Sequence, residues 1–478
     1  MTPHLITALL HMLAAALCFG IAWRQYLKGQ YNIAAVLLAL GGLALRLFMA
    51  GDMYLHEWDE RYHALVAKNL TQGWLQPKLY PVALLPYDFT QWSSNYIWLH
   101  KQPLPLWCMA ASVKLLGVTE IAIRLPSVIV SSVGVYITWL TGRQLFNEKV
   151  GLLAAFFAAV NGLVLDVTTG RSATDHIDIF FMFFVQLAVW LAVVSRTRSS
   201  RWPVVLTGVC VGLAVLCKWL PAFIVLPVWL VLNYRYKSLA ALATGAVIIT
   251  LIAAGVFLPW QWYMYQHYPL EYSNEMLHNY RHITEALDNQ TGGVFYFFTK
   301  LHINVNELFW PAFGWFGYML YRRDKADVRL ALLVWMLVPF VFFTVAKTKM
   351  QAYLLFTFPA LFIMLAEFAV YLLQPVAARQ RRWLQQATFA AIIILAVRFS
   401  IERIKPMQQQ HEQLAWAGKL KQIGHTATGT IVYFNVKHYV EGMFYTQAIM
   451  YERLPEPGQA EALQQKGYTV IINTDEGL

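Results

Sequence analysis

"LHEWDERYHALVAKNLTQGW", residues 55–74, decides how this chain is read. It follows an apolar run and sets two adjacent carboxylates, Asp59 and Glu60, between a tryptophan and an arginine. Nothing in it can span a bilayer, yet most of the sequence around it can. Of 478 residues, 58% are hydrophobic and only 13% charged, about half the charge of an average soluble protein. Apolar segments fall near 5–23, 33–50, 124–141, 150–168, 177–195, 203–217, 219–233, 239–259, 307–321, 328–346, 352–373 and 383–399. Many have the ~17–22 residues that cross a hydrocarbon layer. The expected fold class is an all-α polytopic membrane protein of about twelve transmembrane helices. The stretch 103–117, "PLPLWCMAASVKLLG", is apolar but short and opens on two prolines. It is expected as an interfacial or re-entrant helix.

Orientation follows from the basic loops. Arg24 and Lys28, Arg143 and Lys149, Arg196, Arg198 and Arg201, Arg235 and Lys237, Arg322, Arg323, Lys325 and Arg329, and Arg379, Arg381 and Arg382 mark one side as cytoplasmic. The outer loops 51–123 and 261–306 and the tail then face outward, with residues 1–400 as the transmembrane unit. The opening "MTPHLITALLHML" lacks a basic n-region, so the first apolar run is expected to remain as a helix. The tail, 401–478, turns polar: a helical stretch at 407–423, strands "TIVYFNV", "QAIMYER" and "YTVIINT", and a helical pattern between the last two. It reads as a small α/β domain on the outer face. The four cysteines all sit in or beside apolar runs, without metal or disulfide spacing.

The net charge of +11 does not indicate nucleic acid, because its excess lies in the cytoplasmic loops. More informative are cations on the other side. Lys101, Lys218, Lys347 and Lys349 stand at membrane boundaries expected to face out, and Arg281 lies in the outer loop "LHNYRHIT". A lone lysine at a helix end can snorkel into the headgroups. Several that all disobey the charge bias are explained together by an anionic headgroup at the outer surface. Asp59 and Glu60 could cap a helix, but on the face that carries these cations a carboxylate can also take a proton from an attacking hydroxyl.

A second acidic group, "DVTTGRSATDHIDIF", supplies Asp166, Arg171, Asp175, His176 and Asp178. Asp175 and Asp178, three residues apart, could orient substrate, bind a metal, or pair with Arg171. His278 and His282, four apart, lack the glutamate of a zincin motif and read as a solvated loop pair. The outer loops are rich in tryptophan and tyrosine, as an interfacial aromatic belt requires.

In this order, these residues resemble the GT-C membrane glycosyltransferases, in particular the protein O-mannosyltransferase and lipid A aminoarabinose transferase families. The likeness rests on "WDERYHALVAKNL", on "HKQPLPLW" against a Lys-Pro-Pro-Leu element, and on Arg124-Leu125-Pro126-Ser127. It continues through Asp175 in "RSATDHIDIFF", "LAVLCKWLP", Pro259-Trp260 and a late Lys347, Lys349 and Tyr353. It covers most of residues 45–375. Gln102 stands where a proline is usual, Trp219 where glycine is usual and Gln351 where proline often sits.

The resemblance implies an inverting transfer of a sugar from a polyprenyl-phosphate donor to a lipid, protein or glycan acceptor. The enzyme would be a multi-pass protein of the bacterial inner membrane, with its site facing the exterior. It implies Asp59 as the base with Glu60 assisting, and Lys101, Lys218, Arg281, Lys347, Lys349 and Tyr353 as the set that holds the carrier phosphate. Asp175, His282 and Tyr62 complete the candidates, as substrate-orienting groups. Partners are the lipid donor and membrane lipids, with no nucleic acid; no cofactor is demanded, and a divalent cation is left open. Two rivals are a transporter or flippase, disfavoured because the unusual charges cluster at one face without an inverted repeat, and a non-catalytic envelope-assembly protein.

Overall fold

The structure is a computed structural model and describes residues 3–172, 176–198, 200–375, 379–408, 410–424 and 429–474. Long apolar runs become helices, because a helix satisfies every backbone polar group within its own segment. The helices in chain order are α1 (Pro3–Leu27), α2 (Tyr31–Ala50), α3 (Asp59–Leu70), α4 (Pro103–Leu116), α5 (Glu120–Leu145), α6 (Glu148–Val160), α7 (Gly162–Thr168), α8 (His176–Val194) and α9 (Trp202–Lys218). They continue with α10 (Val225–Asn233), α11 (Leu239–His267), α12 (Pro269–Thr284), α13 (Tyr296–Val305), α14 (Phe309–Tyr321), α15 (Ala326–Val345), α16 (Phe358–Leu372) and α17 (Arg379–Ile404). Short 3₁₀ turns, Leu220–Ile224 and Gln351–Thr357, lead into α10 and α16.

Among the described residues, eight helices are long and apolar enough to cross a membrane, or nine if α6 and α7 form one span. The chain is a multi-pass membrane protein. Shorter apolar helices α4, α9 and Leu220–Asn233 add to these. Each apolar segment expected from the sequence carries helix.

The α6–α7 pair bends by 53°, and the bend has a chemical cause. Asn161 caps α7 by accepting from the Val164 amide (3.0 Å). The fully buried Arg46 of α2 donates to the carbonyls of Ala158 and Ala159, 3.1 Å each, freed at the end of α6. Polar side chains that re-satisfy carbonyls let a helix break inside a packed bundle. Elsewhere small residues bring helices close: a Cβ on Gly212 of α9 would strike the Ala253 carbonyl of α11 at 2.8 Å.

α4 opens on Pro103, which fits the first turn where no amide partner exists. It ends at Gly117 with φ +85°. Its 14 residues give only ~21 Å of rise, short of a full crossing.

The C-terminal segment forms α18 (His411–Gly424), β1 (Ile431–Phe434), α19 (Tyr439–Tyr445), β2 (Ile449–Met450), α20 (Gln459–Gln465) and β3 (Thr469–Ile472). The three strands pair in parallel in the order β2-β1-β3. Val432 and Phe434 of β1 and Met443 of α19 pack into one apolar cluster with Leu65 and Val66 of α3 and Met109 of α4. Lys68 of α3 donates to the carbonyls of Met443 (2.7 Å), Phe444 (3.1 Å) and Thr446 (2.5 Å), capping the end of α19. Its desolvation lowers the Lys68 pKa to about 8. Arg61 pairs with the buried Glu441 at 3.3 Å. The helix that begins at Asp59 is therefore held from behind by the tail.

Candidate active site

Asp59 and Glu60 open α3, and neighbouring positions on a helix point about 100° apart. That rotation separates their fates. Glu60 is fully buried and receives Arg124 Nε (2.7 Å) and Nη2 (2.9 Å), the His56 amide (2.6 Å) and His56 Nδ1 (2.6 Å). His176 Nε2 lies 3.3 Å away. Desolvation opposes the charged carboxylate, but Arg124 and then His56 and His176 overcome it and hold the Glu60 pKa well below its usual range. Asp52 extends this network by pairing with Arg171 (2.8 Å) and His56 (3.1 Å).

Asp59 instead lines a cavity of about 780 Å³. There its carboxylate pairs with Lys101 at 3.2 Å. Lys218, at the end of α9, pairs with Asp178 of α8 and stands 4.8 Å over the Tyr353 ring. The Tyr353 hydroxyl lies 3.4 Å from His282 Nδ1. Burial first, and then the electrostatic influence of His278 and Lys101, push the His282 pKa down to about 3. One cavity thus gathers Asp59, Lys101, Asp178, Lys218, His282 and Tyr353 from six separate segments. Much of the remaining wall is apolar, including Phe181, Phe223, Pro339 and Phe342. It can take an anionic group against its lysines and an apolar chain along its wall.

Two backbone irregularities flank the cavity. Trp58 (φ +70°, ψ −128°) precedes Asp59, and Trp219 (φ +67°, ψ −160°) follows Lys218. Trp219 occupies a region that glycine alone enters at little cost. Strain is therefore stored in the wall of the cavity.

Several sequence candidates stand elsewhere. Glu60 faces Arg124, not the cavity, and Tyr62 bonds to Tyr439 (3.3 Å) behind α3. Arg281 is half exposed and pairs with Glu285 at 2.8 Å, outside the cavity lining. Lys347 is exposed and also absent from that lining. Lys349 turns inward, donating to the carbonyls of Phe343 (3.3 Å), Thr344 (2.6 Å) and Ala346 (2.7 Å) to cap α15. Asp175 lies outside the described residues. His278 and His282 are not a solvated loop pair: they sit on α12 and both line the cavity.

Sequence reasoning missed His100 and Glu275. Ligand atoms of His100, Glu275 and His278 all lie within 4.8 Å of one another. His100 Nδ1 and Glu275 Oε1 face each other at 3.2 Å without hydrogen-bond geometry, and His278 Nε2 is likewise orphaned. Burial favours the uncharged form of His100 and raises the Glu275 pKa. Two imidazoles and a carboxylate are a donor set that fits a divalent cation. The signal is purely tertiary, since His100 and Glu275 are far apart in sequence.

Residues 100–263 match the family model described as dolichyl-phosphate-mannose-protein mannosyltransferase. The chain is 25% identical over 397 residues to the undecaprenyl phosphate-alpha-4-amino-4-deoxy-L-arabinose arabinosyl transferase of Pectobacterium carotovorum, covering 77% of this chain and 65% of the relative. Against transferase 1 of that name from Pseudomonas fluorescens it is 25% identical, over 52% of this chain and 44% of the relative. The chain spans about half the length of most of these curated relatives. Among solved structures, ArnT of Cupriavidus metallidurans bound to undecaprenyl phosphate superposes with a TM-score of 0.64 at 15% identity, over 93% of this chain and 90% of that one. The oligosaccharyltransferase AglB of Archaeoglobus fulgidus, in complex with an inhibitory peptide and a dolichol-phosphate, gives 0.57 at 13% identity, over 91% and 65%.

Proposed function

We propose that this chain, built on the fold shared by the GT-C membrane glycosyltransferases, moves a sugar from a polyprenyl-phosphate carrier to an acceptor at the outer face of the bacterial inner membrane. The observation that carries this reading is the convergence of Asp59 and Lys101 with Lys218, Asp178, His282 and Tyr353 on one apolar-walled cavity. The site needs a base, cations for a phosphate, and a lipid-compatible wall, and it has all three.

The acceptor hydroxyl attacks the anomeric carbon of the donor and gives its proton to Asp59 Oδ. The carbon–oxygen bond to phosphate breaks, and its electron pair leaves with the polyprenyl phosphate. A phosphate leaves readily, so no general acid is required at that end. Lys101 and Lys218 stabilise the charge that accumulates on the leaving oxygen, in a cavity whose apolar walls strengthen the interaction. Asp178 holds Lys218 in place, and Tyr353 and His282 add hydrogen-bond donors at the same wall. Attack opposite the leaving group inverts the anomeric centre. Arg124 and Glu60 position the first turn of α3. A divalent cation held by His100, Glu275 and His278 would supply fixed positive charge beside Lys101.

Twelve spans result if α9, Leu220–Asn233 and α14 cross together with the nine longer candidates. Both termini then face outward, and residues 401–478 form a small outer domain upon the transmembrane unit 1–400, against α3 and α4. Mass spectrometry of envelope glycolipids and glycoproteins, from cells with and without the gene, tests the function. A glycan increment lost on deletion and restored by the wild-type gene is the expected result. Indistinguishable envelopes would overturn it.

A further inference from the structure

Beside the donor cavity lies a second one, of about 500 Å³, walled by tyrosines from two parts of the chain. Tyr80, Tyr87 and Tyr96 come from the loop between α3 and α4, and Tyr439 and Tyr451 from the C-terminal segment. The Tyr80 and Tyr451 rings stack at 5.1 Å. The walls are fixed from three sides. The Leu79 amide donates to the Tyr96 carbonyl (3.0 Å) and the Trp98 amide to that of Pro77 (2.9 Å), closing the base of the loop. The Tyr87 hydroxyl donates to Glu271 of α12 (3.0 Å). The Tyr439 hydroxyl donates to the Ser93 carbonyl (2.8 Å). A preformed cavity of this size suits a small ligand.

Its chemistry narrows the ligand class. Tyrosine offers a flat, rigid face with a hydrogen-bonding tip, at low entropic cost. The ionisable groups at the cavity are Asp88, Glu452 and Arg453, and Arg453 already pairs with Glu456 at 3.2 Å. Two acids against one engaged cation disfavour a phosphate or any other anion. The hydroxyls and carboxylates disfavour a lipid tail. A neutral sugar meets both demands, with C–H faces for the rings and hydroxyls for the carboxylates.

The position is as telling as the lining. Trp92 lines the donor cavity while its neighbours Ser93 and Ser94 line this one, so a single turn of chain divides them. We infer that this second cavity binds a neutral saccharide unit of the acceptor, adjacent to the unit that is glycosylated. The inference rests on the glycosyltransferase reading and names the acceptor's class as a glycan, free or lipid-linked.

The test uses the full-length protein in nanodiscs free of glycolipid. Saturation-transfer difference NMR is recorded with maltose, cellobiose, lactose and chitobiose, with tetralysine and inorganic phosphate as competitors. At least one disaccharide should receive saturation on its ring protons. Glu452→Ala, at an exposed carboxylate, should weaken that binding about tenfold or more, the loss of one hydrogen bond to a charged group, and Tyr87→Ala, which removes a ring from the wall, should weaken it too. Asp59→Asn should leave it intact. No transfer to any of the four, equal binding by both variants, or displacement by phosphate or tetralysine would overturn the assignment. Binding of undecaprenyl phosphate to the same nanodiscs reports on the donor separately. Sugar binding without lipid binding would keep this cavity and sink the transferase; the converse would do the reverse.

Discussion

Glu60→Gln is the substitution whose consequence the structure fixes most tightly. Glu60 and Arg124 are both 0% exposed, and two hydrogen bonds of 2.7 and 2.9 Å join them. The amide keeps the shape of the side chain and removes its charge. Arg124 keeps the carbonyls of Ala50 (3.0 Å), Asp52 (2.5 Å) and Tyr54 (2.6 Å), but it becomes a buried cation that has lost the one carboxylate bonded to it directly. Breaking a buried pair from one side costs about 3–5 kcal/mol, well beyond the ~1 kcal/mol of an ordinary hydrogen bond. Thermal unfolding of the purified protein, followed by tryptophan fluorescence, should show a large drop. The double variant Glu60→Gln/Arg124→Met should lose less than the sum of the single losses. The acid limb provides a second check. A carboxylate whose folded pKa is depressed contributes stability above its unfolded value of about 4.3 and loses it as pH falls further. Glu60→Gln should therefore flatten the loss of stability below about pH 4.3. A variant that melts with the wild type, or losses that simply add, would refute the reasoning.

Other outcomes follow from the same geometry. Lys101→Ala should weaken donor binding and flatten its salt dependence, whereas Lys347→Ala should leave both near wild type; titration with undecaprenyl phosphate at two salt concentrations distinguishes them. Gly170→Ala should destabilise by about 1–3 kcal/mol, because φ is +76° and the new Cβ would stand 2.6 Å from the Glu60 carboxyl carbon; an unchanged melting temperature would contradict this. His282, held at about 3 by burial and nearby cations, contributes stability above its unfolded value of about 6.5 that is lost as pH falls toward the folded one. His282→Phe should reduce that loss in a pH series of melting curves.

How much of this was legible in the sequence depends on which physics set each feature. The apolar runs were, because bilayer thickness imposes one length on every span. The strands "TIVYFNV" and "YTVIINT" were, because their composition suits a half-buried sheet. Lys101 and Lys218 stood out as cations at odds with the charge bias of the loops, and Asp59 as a carboxylate on the same expected face. Glu60 and Lys349 did not declare their roles. Whether a side chain at a helix end faces a cavity or turns to its own scaffold depends on rotation about the helix and on a distant partner such as Arg124. The bend at Asn161 also hid, since it depends on Arg46 reaching it from another helix. His100 and Glu275 become a pair only when α12 packs over the loop that precedes α4.

The most direct measurement is turnover by Asp59→Asn, set beside its binding of the lipid donor. The account predicts that undecaprenyl phosphate still binds, because Lys101 and Lys218 remain, while sugar transfer falls by about 10²–10⁴-fold, as loss of a general base requires. Undiminished transfer would contradict the account at its centre.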